Sequence, residues 1–290
     1  MKGIVLAGGT GSRLFPLTLA FSKQLLPIFD KPLIFYPVST LMAAGINEIL
    51  IITTPRDQEL FQKLLGSGEQ LGISISYAIQ NDPKGIPEAF LIAKSFIAEE
   101  KVALILGDNI FFGTGLGRNL KNFTEVFGAQ IFGYEVTDPE KYGVAILDNR
   151  GSLLSLEEKP TNPKSNLAVT GLYFYDNSVI EKTKSLKPSH RGELEITDLN
   201  TAYLADQKLR IEILPRGTAW LDTGTFNGLN DASNFVRVIE ERQGTKIACL
   251  EEISWRNGWI TTEQLIKLSS TPSRANIAQY LRNLVSKPEV

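Results

Sequence analysis

Gly3-Ile4-Val5-Leu6-Ala7 runs directly into Gly8-Gly9-Thr10-Gly11-Ser12-Arg13. The apolar run reads as a buried strand, and the glycines that end it leave backbone N–H groups uncovered in a tight turn. Such a nest accepts phosphate oxygens at close range, and Arg13 adds a cation. Two familiar phosphate loops also set glycine after a strand, yet neither matches. The dinucleotide fingerprint G-x-G-x-x-G would need glycine where Leu14 stands, and the Walker loop counted from Gly8 would need it where Arg13 stands. The segment reads as a phosphate loop of a different kind, feeding a sheet.

Working outward, β-rich runs at Lys2 to Ala7, Glu48 to Thr53, Ile73 to Ile79, Val102 to Gly107 and Gln130 to Val136 alternate with helical patterns. The helical patterns cover Pro32 to Ala44, Asp57 to Leu65, Pro87 to Ala98 and Leu116 to Val126. This alternation predicts an α/β fold, a mostly parallel Rossmann-like sheet flanked by helices, with ligands at the carboxyl ends of the strands. After Val136 the rhythm changes. Tyr142 to Leu147 and Ser152 to Glu157 read as a hairpin turning at Asp148-Asn149-Arg150-Gly151, followed by a long β-rich run from Asn166 to Tyr175. Helices are expected at Asn177 to Leu186, Thr197 to Asp206 and Phe226 to Gln243, with a strand at Arg210 to Leu214. In the last forty residues Ile277, Ala278, Leu281, Leu284 and Val285 fall on one stripe. The expected division is one α/β domain over 1–245, with parts 1–136 and 137–225, and a helical tail over 246–290.

Composition narrows the partners. With a net charge of -2, the 290-residue chain has no basic excess to neutralise a nucleic-acid backbone. Cys249 is its one cysteine, so no internal disulfide can form. No apolar run of about 18 residues occurs, which argues against a membrane span, and the cytoplasm is the expected compartment.

Further motifs add up to a family. Leu6 to Leu14, Pro16-Leu17-Thr18 and Ser22-Lys23-Gln24-Leu25-Leu26-Pro27 resemble the start of the sugar-1-phosphate nucleotidylyltransferases. Leu106 to Phe111, Asp138 to Val144, Leu156 to Pro160, Ala168 to Asp176, Arg191 to Asp198 and Ala219 to Thr225 narrow the resemblance to their thymidylyltransferase branch. The resemblance implies transfer of a thymidylyl group from dTTP to glucose 1-phosphate, giving dTDP-glucose and pyrophosphate, with Mg²⁺ as cofactor. It also implies which residues act. Gly8, Gly9, Thr10, Gly11, Ser12, Arg13, Lys23, Gln80, Gly85 and Asp108 would hold the nucleotide. Asn109, Gly143, Glu158, Lys159, Val169, Tyr173 and Arg191 would hold the sugar phosphate. Asp108 and Asp222 would take the metal, and Arg13, Lys23, Lys159 and Asp108 would carry the catalysis. The first part of the domain would thus serve the nucleotide and the second the sugar phosphate.

One stretch departs from the pattern. Gly85-Ile86-Pro87-Glu88-Ala89 stands where that branch usually reads Gly-Leu-Ala-Gln-Ala, so a carboxylate replaces an amide beside the expected base site. In the tail, Glu251 to Gly258 resembles a regulatory region, which implies a homotetramer feedback-inhibited by dTDP-rhamnose, with Glu252 and Arg256 at the second site. A uridylyltransferase is the runner-up within the class, and two readings compete from outside it: a non-catalytic regulatory relative, which would be expected to lose some of Arg13, Lys23, Asp108 and Asp222, all present here, and a glycosyltransferase. The last would want a D-x-D pair, which Asp108-Asn109-Ile110 does not supply.

Overall fold

The computed structural model describes residues 1–9 and 11–286, so Thr10 and positions 287–290 lie outside the described residues. β1 (Lys2–Ala7) is central, with Ile4, Val5 and Ala7 fully buried. Burying the Ile4 and Val5 side chains contributes roughly 2 kcal/mol each, and the Ala7 methyl less than half of that. Beyond the glycine loop the chain makes short 3₁₀ turns at Ser12–Leu14, Leu17–Leu19 and Lys23–Leu25 rather than an α-helix. A two-residue hairpin, β2 (Pro27–Ile28) with β3 (Lys31–Pro32), precedes α1 (Phe35–Ala43). The helix predicted from Pro32 thus starts later, because Pro32 is spent in the hairpin. β4 (Glu48–Thr53), α2 (Gln58–Leu65) and β5 (Ser74–Ile79) follow as read. The pattern at Pro87 to Ala98 divides into α3 (Glu88–Ile92) and α4 (Lys94–Ile97), interrupted where Ala93 leaves the helical region.

β6 (Val102–Leu106) turns at Gly107 and Asp108 into β7 (Asn109–Phe112), and α5 (Leu116–Lys121) leads to β8 (Ala129–Glu135). The hairpin β9 (Gly143–Leu147) and β10 (Leu153–Glu158) precedes β11 (Leu167–Tyr175). Then come α6 (Val179–Ser185), α7 (Ile196–Ala205), β12 (Leu209–Ile213) and β13 (Ala219–Asp222). α8 (Phe226–Gln243) coincides with its predicted range, opened by Thr225 accepting the Gly228 N–H and closed by Gly244 in the left-handed region. The remaining helices are α9 (Leu250–Arg256), α10 (Thr262–Ser269) and α11 (Ala278–Ser286).

Nine strands form one sheet ordered β10-β9-β11-β6-β1-β4-β5, with β8 on β11 and β12 on β8. The strands β6-β1-β4-β5 are parallel throughout. β11 runs against it and forks the sheet. Its second half, Leu172 to Tyr175, pairs with β6, while Ala168 pairs with Val144 of β9. The register of β11 against β8 slips between Val169 and Tyr173, and that irregularity sits where β6 has ended. The fork therefore opens at the carboxyl end of β6, where an α/β sheet binds ligands. Apolar clusters bury both faces of the sheet: Val5, Ile49, Ile105 and Leu172 on one, Ile4, Leu50, Leu104 and Tyr173 on the other.

Candidate active site

A cleft of about 630 Å³ occupies the fork. Ser12 and Arg13 line it from the glycine loop, and Asp108, Asn109 and Asp222 form its floor. Gly143, Glu158, Lys159, Val169, Tyr173 and Arg191 line the side made by β9, β10, β11 and the segment before α7. Residues far apart in the chain, selected from motifs alone, thus share one wall-to-wall space.

The floor is built by a strand pair that the sequence reading lacked. β7 and β13 are antiparallel with Asn109 opposite Asp222, which brings the Asp222 carboxylate beside Asp108 in the preceding turn. Two bonds to the Asp108 carbonyl, from the Thr223 N–H at 3.1 Å and the Thr223 hydroxyl at 2.8 Å, clamp the β13 exit to that turn. The two carboxylates have opposite electrostatics. Burial by itself raises the Asp108 carboxyl, but the charge and hydrogen bond of Lys23, helped by Asn109, hold it below the usual carboxylate range. Asp222 is pushed up, first by burial and then by the Asp108 charge, although the Gly224 N–H donates to it at 2.9 Å. Among the described residues no cluster of three or more histidine, cysteine or acidic side chains could hold a metal on its own. A pair of crowded carboxylates at a strand end suits a Mg²⁺ ion that completes its shell with water and phosphate oxygens.

Asn109 is buried, with every polar atom of its side chain engaged. Its oxygen accepts from the Trp220 indole at 2.6 Å and the Gly171 N–H at 3.1 Å, and its amide donates to Asp108 at 3.1 Å. The side chain thus orients Asp108 while lining the cleft, and its amide keeps a second N–H that a ligand could take. Trp220 lies in the Ala219 to Thr225 motif, but its role as a donor to Asn109 has no local signal, because the contact spans 111 residues. Arg13 lies against Gly224, where an added Cβ would fall 2.6 Å from a guanidinium nitrogen.

On the opposite wall, Glu158 faces the cleft and Glu157 pairs outside it with Lys164, as the alternation of β10 requires. Glu158 accepts from the Thr197 hydroxyl at 2.6 Å, and Lys159 and Arg191 each stand 3.7 Å from it. Lys159 holds φ 43, a left-handed turn that ends the strand. Arg191 also bonds Glu195 at 2.7 Å, and that bond raises the arginine further. Burial alone would raise Glu195, but its hydrogen bonds to Arg191 and Ser189 bring it down. Glu195 and Thr197 lie within a motif quoted above, yet their roles needed the fold. Tyr173 is buried, and desolvation raises its phenol well above normal, so it stays neutral.

The other residues expected to hold the nucleotide lie outside the lining of that cleft. Gln80 ends the run after β5 and is buried against Gly8, where any added Cβ would overlap the Gln80 carboxamide. Its Nε2 donates to Glu88 at 2.7 Å. Gly85, at φ 102, bridges to Leu194, and only glycine fits because a Cβ would collide with the Leu194 carbonyl. Gly11, at φ 64, has its carbonyl held by the Thr18 hydroxyl at 2.7 Å, while Gly9 is exposed with open space around it. Away from the cleft, Glu252 and Arg256 pair with each other at 2.8 Å, and Trp255 donates to Thr262 within the tail.

Comparison with known proteins identifies the family. The nucleotidyl transferase family model matches residues 2–238. A glucose-1-phosphate thymidylyltransferase of Mycobacterium tuberculosis is 53% identical over 99% of this chain and its own full length. One from Neisseria meningitidis is 52% identical over the same shares. In a crystal structure of a Bacillus anthracis glucose-1-phosphate thymidylyltransferase in complex with sucrose, 95% of that chain superposes on 82% of this one, with a TM-score of 0.76 at 41% identity. A UDP-glucose pyrophosphorylase complexed with UDP-glucose reaches a TM-score of 0.72 at 27% identity, covering 82% of this chain and 98% of its own. Sequence and fold therefore place the chain in the nucleotidyl transferase family, among the glucose-1-phosphate thymidylyltransferases.

Proposed function

We propose that this enzyme transfers the thymidylyl group of dTTP to glucose 1-phosphate. A phosphate oxygen of the sugar attacks the α-phosphorus in line, the bond from that phosphorus to the bridging oxygen breaks, and pyrophosphate leaves. Both substrates are anions, so the work is positioning and charge neutralisation. The observation that carries this reading is the placement of cations on two sides of one acidic floor. Arg13 and Lys23 stand on the loop side, Lys159 and Arg191 on the sugar side, with Asp108 and Asp222 between. Arg13 and Lys23 neutralise the triphosphate, and Arg13 draws charge from the departing pyrophosphate. Lys159 and Arg191 bring the sugar phosphate to the α-phosphorus, and Glu158 accepts from sugar hydroxyls. Asp108 and Asp222 hold Mg²⁺, which when bound polarises the phosphoryl oxygens. Residues 1–136 serve the nucleotide and 137–225 the sugar phosphate.

In the assembled enzyme, which we take to be a cytoplasmic homotetramer, the tail carries the second site for dTDP-rhamnose. Arg256→Ala is expected to leave turnover near normal and to relieve inhibition by that nucleotide sugar; undiminished inhibition would move the site elsewhere. Turnover is tested by following pyrophosphate release from glucose 1-phosphate with dTTP or UTP. The expected result is Mg²⁺-dependent release with dTTP preferred. A preference for UTP would make the enzyme a uridylyltransferase, as in the pyrophosphorylase of similar fold.

A further inference from the structure

Glu88 is one of three successive positions, with Ile86 and Pro87, where the chain departs from the pattern it resembles, and its carboxylate is bonded to Gln80. The Gln80 amide donates to it at 2.7 Å and the Lys84 N–H at 3.3 Å. An ionised carboxylate only accepts, so the group that Gln80 turns toward Glu88 must be its NH₂. The Gln80 oxygen is then committed to the opposite side, against the Cα of Gly8 at the carboxyl end of the parallel strands. Among the described residues no donor bonds that oxygen. Both ends of this arrangement are fixed. Gln80 is 4% exposed and its N–H is bonded to the Thr53 carbonyl at 2.8 Å, while Glu88 begins α3 behind the buried Pro87.

We propose that Glu88 is a specificity-determining positioning residue: it locks the Gln80 carboxamide with its oxygen toward the nucleotide, so that the site takes a pyrimidine presenting a ring N–H and refuses one presenting a bare ring nitrogen. Thymine and uracil carry a proton on N3, which the locked oxygen accepts. Cytosine has a lone pair there, and two acceptors would face each other in a water-poor site. Reversing the carboxamide to suit cytosine would aim the Gln80 oxygen at the Glu88 carboxylate, which is equally repulsive. A site that hydrogen-bonds its substrate rejects an analogue of the wrong polarity far more strongly than an apolar pocket can. The inference rests on the reading that the nucleobase lies against Gln80.

The test compares kcat/KM for dTTP and dCTP, with glucose 1-phosphate as acceptor, in the wild type, Glu88→Leu, Glu88→Ala and Glu88→Gln. Leucine and alanine remove the acceptor and free the carboxamide to rotate. Each is expected to lower the dTTP-to-dCTP ratio by about ten-fold or more, through a raised KM for dTTP and newly measurable use of dCTP. Glutamine still offers an accepting oxygen and should keep the ratio within a few fold. A mere loss of helix stability would depress both substrates equally and leave the ratio alone. A ratio unchanged in whichever of Glu88→Leu and Glu88→Ala folds, checked by its thermal transition, overturns the lock. Failure of the underlying reading looks different: Gln80→Leu would then use dTTP as well as the wild type does.

Discussion

Asp108 stands at the meeting point of three constraints, the Lys23 cation, the Asn109 amide and the end of β6. Asp108→Asn keeps the shape and one acceptor while removing the charge that a metal needs. We expect turnover to fall by about a hundred- to a thousandfold, with the protein still folded but its thermal transition lowered because Lys23 loses its partner charge; pyrophosphate release checks the first and calorimetry the second. Asp222 predicts a pH effect of definite sign. Its folded-state pKa is raised, by burial and by Asp108. The folded protein therefore holds that proton to higher pH than the unfolded chain does, and the group subtracts stability once pH passes its unfolded value. In chelator-containing buffer Asp222→Asn should raise the melting temperature at neutral pH, and the gain should vanish at acid pH where both forms are protonated. A gain that persists at acid pH would show that charge is not its cause. Arg13 depends on a neighbour without a side chain. Gly224→Ala would push the guanidinium away and should lower kcat more than it raises the KM for glucose 1-phosphate, in steady-state kinetics. Part of this scale is legible in the sequence, Arg13 as a cation closing a glycine-rich loop and Asp108 and Asp222 as carboxylates after apolar runs, whereas Glu158 and Lys159 stand in a charged run and are reached only through the family resemblance. Trp220, Thr197 and Glu195 give no such signal, because they act by touching residues already chosen, and a contact between distant positions leaves no local pattern.

At the scale of elements, α8 and the β2–β3 hairpin are joined by a buried ionic knot. Glu240, on α8 and 4% exposed, accepts from Lys31 at 3.1 Å, from Lys246 at 2.5 Å and from the Ile247 N–H at 2.9 Å. Asp30 binds the same two lysines. Removing one acid from such a knot leaves cations in a poorly solvated place, so Glu240→Ala should cost about 3 kcal/mol or more, read from denaturant unfolding. α8 itself was readable to the residue because a threonine cap and a left-handed glycine mark both ends. The helix expected over Pro87 to Ala98 was not, because apolar periodicity carries across a break that only the backbone at Ala93 reveals. β7 escaped for a related reason. Its partner β13 lies more than a hundred residues on, and Asn109 to Phe112 is too short for alternation to be seen.

For the molecule as a whole, the tail is bound into the main core. Leu250 of α9 joins the cluster on one face of the sheet, and Asn257 donates to the Met42 carbonyl at 2.9 Å and accepts from Lys121 at 2.8 Å. A chain ending at Gly244 should therefore expose apolar surface and fail to give a cooperative thermal transition, which differential scanning calorimetry would detect. The parallel half of the sheet was legible because alternating strands and helices permit few arrangements. The fork was not, since whether a long strand pairs with one neighbour or two is decided by where the adjacent strand stops. That fork has a dynamic consequence. The hairpin bearing Gly143 and Glu158 joins the sheet through the single rung Ala168 to Val144, whereas β1 is laddered along its length on both sides. Held to the sheet by that rung and to α7 by the Glu158–Thr197 bond at 2.6 Å, the hairpin is more sparsely laddered than the central strand, and amide exchange in β9 and β10 should outpace that in β1, with the difference narrowing when ligands fill the cleft.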